Sequence, residues 1–143
     1  MQDGPYWIAF SRINGVGAAR ARRLEAHFGS LESAWKADAF ELKAAGLDDR
    51  SVGALIGARR GIDPVAELEK LSASGVKAVA LPDTAYPWRL REIQNPPMVL
   101  YIRGELTEAD EWAVGIVGTR SATIYGRDVT ARLAGDLARN GVT

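Results

Sequence analysis

The residues Gly118-Thr119-Arg120-Ser121-Ala122-Thr123 follow a short apolar run at 113–117 and precede a helical pattern that Gly126 enters. Three hydroxyls, a guanidinium and a glycine within six positions are the residue types that can ring an oxyanion. Gly118 permits a tight turn, the loop N–H groups and hydroxyls donate, and Arg120 offers a planar fork suited to phosphate. Thr123 is placed to cap the helix that follows. Two better-known phosphate turns are excluded. The glycines Gly115, Gly118 and Gly126 do not make the G-x-G-x-x-G dinucleotide fingerprint, and no Gly-Lys-Ser/Thr occurs anywhere in the chain. A plainer alternative stays open, in which the hydroxyls only cap the helix and Arg120 is solvated.

A second candidate is Ile13-Asn14-Gly15-Val16-Gly17-Ala18-Ala19-Arg20. A hydrophobic residue, any residue, Gly, a hydrophobic residue and Gly between two helices is the hairpin of a helix-hairpin-helix unit. Gly15, Val16 and Gly17 would bring backbone close to a phosphate, the next helix would point free N–H groups at it, and Arg20 would add charge. The same glycines also serve a tight helix–helix turn with no ligand. The aromatics Tyr86, Trp88, Tyr101, Trp112 and Tyr125 could stack exposed bases, although packing is the commoner role. His27 has no Asp, Glu or Cys at ligand spacing. No Ser-His-Asp, paired-carboxylate or metal arrangement is present, so the sequence assigns no catalytic residue and no metal ligand.

The elements that must position these groups can be read from periodicity and caps. Ala21, Leu24 and Phe28 lie at helical spacing and Gly29 ends that pattern. Ser30 can cap a turn holding Leu31, Ala34 and Trp35. Asp38 can open a helix at 39–45, and Asp48 or Asp49 another with Val52, Leu55 and Ile56 on one face. Helices this short must be held by packing against one another. Near Gly61 the character changes. Asp63-Pro64 starts a helix that Gly75 stops, and strands are expected at 76–81, 98–103 and 113–117. The third has apolar residues on both faces, as a buried parallel strand requires. Tyr125, Val129, Leu133 and Leu137 mark a last helix that stops at Asn140-Gly141.

The fold class expected is therefore α/β: a bundle of short helices at 1–61, then at 62–143 an incomplete parallel-sheet domain, about half of one. Val142-Thr143 reads as the start of a further strand, which suggests the N-terminal piece of a longer protein. Apolar residues make up 47% of the 143, enough for a core. Lys plus Arg and Asp plus Glu each number 18, so no global field draws polyanions and any affinity must be local. The absence of cysteine excludes disulfides and thiolate metal sites. With no signal-peptide pattern and no long apolar run, a cytoplasmic protein without membrane contact is expected.

Three segments in order carry a resemblance: Tyr86-Pro87-x-x-Leu90, the run from Pro96-Pro97-Met98 to Tyr101-Ile102-Arg103-Gly104, and Ile116-Val117-Gly118-Thr119-Arg120-Ser121-Ala122-Thr123-x-Tyr125-Gly126. Together they resemble the DNA processing protein A (DprA/Smf) family, and the hairpin region resembles that family's sterile-alpha-motif-like N-terminal domain. The resemblance implies a Rossmann-like core that binds single-stranded DNA, acts as a homodimer and loads a RecA-type recombinase in natural transformation. It implies no enzyme activity and no cofactor. Carried over by residue, the family's phosphate turn falls on Gly118, Thr119 and Arg120, with Ser121 and Thr123 completing the loop. The family's following S-G-x-A-x-G-I-D type motif has no counterpart here. A rival reading is a Rossmann-like nucleoside monophosphate hydrolase that holds a nucleotide phosphate in the same turn.

Overall fold

The computed structural model describes residues 3–143. Contacts divide them into two compact units, one running to Arg103 and the other Gly104–Thr143.

The first unit is built from helices α1 (Gly4–Ser11), α2 (Ala18–Phe28), α3 (Leu31–Lys36), α4 (Ala39–Ala44), α5 (Asp49–Ala58) and α6 (Pro64–Ala73), then strand β1 (Lys77–Ala80), the single turn α7 (Trp88–Arg91) and strand β2 (Val99–Ile102). Most helix starts follow from a local cap. Ser30 accepts the Ser33 N–H at 3.0 Å and Asp48 the Ser51 N–H at 2.8 Å. Asp38 and Glu41 form a reciprocal capping box, and Asp63 accepts from Val65 and Ala66 ahead of Pro64 at the first helical position.

At the centre lies α1, which reads in the sequence only as a short mixed run. Trp7, Ile8, Ala9 and Phe10 are all buried, so the helix has no polar face over these four positions. It packs against α3, α6, β1 and β2, with Phe10 meeting Trp35 edge-to-face at 5.5 Å between ring centroids. Since α6, β1 and β2 all rest on α1, packing runs across the composition change at Gly61.

The sheet corrects an expectation. It has two strands and is antiparallel, with Lys77 opposite Ile102, Ala78 opposite Tyr101, Val79 opposite Leu100 and Ala80 opposite Val99. Parallel strands need a crossover that carries the chain back along the sheet, usually on a helix. Here residues 81–98 fold back on themselves instead. Asp83 accepts the Ala80 N–H at 2.7 Å, and the buried Tyr86 donates its hydroxyl to the Pro97 carbonyl at 2.9 Å. Leu81 N–H then donates to the Met98 carbonyl at 2.9 Å, so the chain returns beside the strand it left.

The second unit holds a 3-10 turn (Glu108–Glu111), an extended segment and the long helix α8 (Ile124–Arg139). The strand expected at 113–117 does not form as a ladder. Among the described residues a single rung is present: Thr143 N–H donates to the Trp112 carbonyl and Val114 N–H to the Thr143 carbonyl, both at 2.8 Å. That pair of bonds around Ala113 is the parallel arrangement. Gly141 makes it reachable, because its φ of +75° lets Val142 N–H close on the Leu137 carbonyl and turns the chain back off the helix. Nor is the segment buried as expected. Val114 is 54% exposed and Val117 94%, since no layer covers them among the described residues.

Candidate nucleic-acid interface

The turn after residue 117 is held by its own hydroxyls. Thr119 Oγ1 accepts the Ser121 N–H at 3.3 Å, and Thr123 Oγ1 accepts the Gly126 N–H at 3.1 Å, capping α8. A Cβ at Gly126 would stand 3.3 Å from that same Thr123 oxygen, so glycine there keeps the cap uncrowded. The Gly118, Thr119, Arg120 and Ala122 N–H groups donate to no protein atom among the described residues. The Arg120 side chain is likewise without a hydrogen bond or ion pair among them.

A cavity of about 370 Å³ opens beside this turn within the second unit, and Gly118, Thr119, Gly126, Arg127 and Thr130 contribute to its walls. Of the residues singled out in sequence, it gathers Gly118, Thr119 and Gly126, while Arg120, Ser121 and Thr123 lie outside its lining. Its cation is Arg127, one helical turn beyond Thr123, on α8. Sequence reasoning passed over Arg127, though a signal existed. In a helix, side chains four residues apart lie on one face and lean toward the N-terminus, which here is the turn.

Near the start of the chain, residues 13–17 make a tight turn between α1 and α2. Gly15 takes a φ of +87°, open to glycine and strained for other residues, and Gly17 precedes α2 with no side-chain cap. Arg20 is engaged internally. Its guanidinium donates to the Gly15 carbonyl at 2.6 Å, to Ser51 Oγ at 2.5 Å and to Asp48 Oδ2 at 2.7 Å, tying the hairpin to the start of α5. Hydrogen bonds from the Ser51 N–H and hydroxyl, with the Arg20 charge behind them, hold the Asp48 carboxyl below the usual carboxylate range. Val16 is buried beneath the turn. What remains open at the hairpin, among the described residues, is the N–H groups of Gly15 and Gly17 and the first N–H groups of α2, since the Gly15 carbonyl accepts from Arg20 and the Gly17 carbonyl from the Ala21 N–H.

The aromatics divide. Tyr86 is core, whereas Trp88, Tyr101, Trp112 and Tyr125 are from 48% to 78% exposed. His27 is exposed and meets the Phe28 ring edge-on. Among the described residues no group of three or more His, Asp or Glu is placed to hold a metal ion. No described helix is long and apolar enough to cross a membrane.

The family model for DNA recombination-mediator protein A matches residues 77–143, which include β1, β2, the 118–123 turn and α8. Protein Smf of Synechocystis is 36% identical over 96% of the chain. The chain belongs to the DprA/Smf family. Two further members are similar: DNA processing protein DprA of Bacillus subtilis, 35% identical over 47% of the chain, and a putative DNA processing protein DprA of Mycobacterium tuberculosis, 31% identical over 95%. The chain spans 36%, 23% and 37% of these three proteins respectively. Within the family frame, the match includes the 118–123 turn and excludes the hairpin, which only the longer alignments to Smf and DprA reach.

Proposed function

We propose that the protein is a single-stranded DNA-binding recombination mediator. It shields incoming DNA and passes it to a RecA-type recombinase, working as a homodimer in its full-length form. The observation that carries the reading is the 118–123 turn: unpartnered N–H groups, an unpartnered Arg120 and a neighbouring Arg127 inside the segment matched by the recombination-mediator family. Such a turn binds backbone phosphate without reading sequence, because the donors meet only the phosphate oxygens. The domains follow the same reading, with a sterile-alpha-motif-like helical part and the opening of a Rossmann-like part. In support of the latter, α8 runs between residue 113 and the residue that pairs with it in parallel, Thr143, as in a strand-helix-strand unit.

The test is a titration of labelled oligo-dT by fluorescence anisotropy at several salt concentrations. For single strands, log K should fall against log salt by about 0.7 for each phosphate neutralised. Arg120→Ala should weaken binding and flatten that slope by about the same amount. An Arg120→Ala protein with the wild-type affinity and slope removes the turn from the interface.

A further inference from the structure

The hairpin does not face open solvent alone. Within the first unit it forms one wall of a groove of about 740 Å³ whose opposite wall is the 94–99 stretch, with Tyr101 at its edge. No acidic side chain lines this groove. Arg22, exposed and without a partner among the described residues, supplies a cation, and Gln94 and Asn95 add amide groups. Tyr101 and Ser11, whose hydroxyls meet at 3.1 Å, also line a second cavity of about 450 Å³. That second lobe is floored by Ile8 and Leu71, and its one carboxylate, Glu67, is paired with Arg12 and Lys70. The half-exposed Tyr101 ring thus stands between a cationic, amide-lined lobe and an apolar one.

We infer that this two-lobed groove is a second contact for single-stranded nucleic acid, with backbone phosphate beside Arg22 and a base stacked on Tyr101. The chemistry fits because a nucleotide carries an anion and a flat apolar ring, the two surfaces the lobes present. Stacking on an aromatic tolerates any base, and an unpaired arginine in the acid-free larger lobe, with the carboxylate of the other lobe already neutralised by Arg12 and Lys70, favours an anionic chain over a neutral or acidic peptide. The inference rests on the proposed single-strand binding but uses none of the residues of the 118–123 turn.

The experiment compares Tyr101→Leu, Tyr101→Phe, Arg22→Gln and Arg120→Ala with wild type in the 143-residue protein, using oligo-dT anisotropy across salt. Tyr101→Leu should bind between about five- and 150-fold more weakly, whereas Tyr101→Phe, which keeps the ring, retains wild-type affinity. Arg22→Gln, a surface change with no fold to lose, should lower the salt slope by about 0.7. If Tyr101→Leu and Arg22→Gln bind as wild type while Arg120→Ala is weakened, the groove inference is overturned alone, and a protein segment becomes its better occupant. If Arg120→Ala is unchanged while the groove variants are weakened, the groove stands and the turn assignment fails. Wild-type protein that does not bind oligo-dT overturns both.

Discussion

At the residue scale, the two arginines singled out first have different fates, and the difference is physical. Arg20 sits where a carbonyl, a hydroxyl and a carboxylate converge, so both of its terminal nitrogens are engaged within the fold. The Arg120 side chain makes no hydrogen bond or ion pair among the described residues and stays available. The types of both residues were legible in the sequence, but their partners were not, because Ser51 and Asp48 approach Arg20 only through the packing of α5. Thr123 was legible in full, since a cap is a contact within three residues. It also separates capping from anion binding. Thr123→Ala should cost about 1 kcal/mol of helix stability, read as lost ellipticity at 222 nm. Thr123→Asp should keep the helix, because aspartate caps equally well and suits the positive end of the helix dipole. The same aspartate should weaken oligo-dT binding by repelling phosphate, which an anisotropy titration checks.

Among the elements, what could be read locally was read. The caps at Ser30, Asp38, Asp48, Asp63 and Thr123 each open a helix. α1 escaped because its successive residues Trp7 to Phe10 are all buried, which erases the one-sided periodicity that marks an amphipathic helix. The sense of the sheet escaped because apolar runs carry no information about pairing. The direction is set by the fold-back at Asp83 and Tyr86, a contact that periodicity does not report. The hairpin tie carries a pH signature. Since Asp48 has its folded-state affinity for protons lowered, its hydrogen bonds stabilise the fold above the unfolded carboxylate value, about 4. This contribution is lost as pH falls through the lower folded value. Acid titration followed by thermal melting should show it, and Asp48→Asn should remove that part of the acid dependence while lowering stability at neutral pH.

Across the whole molecule, burial is unevenly shared between the two units. The first contains every fully buried side chain among the described residues, including Trp7, Phe10, Leu24, Leu42 and Leu55. In the second, α8 is the longest helix, yet it buries no residue and leaves Ile124, Tyr125, Val129 and Leu133 exposed. Helical stability comes mostly from packing of an apolar face rather than from length. Amides of α8 should therefore exchange with deuterium faster than those of the shorter α2, whose Ala21 and Leu24 are buried; equal protection would show that α8 is held by more than its own hydrogen bonds. The composition balance, 18 basic and 18 acidic residues, means that any affinity for a polyanion must come from local donors and not from net charge. The most direct test of that claim is an amide NMR titration of isotope-labelled protein with oligo-dT. The Gly118, Thr119, Arg120 and Ala122 resonances should move as DNA is added and return in high salt. Saturable DNA binding that leaves those four resonances in place would contradict the claim.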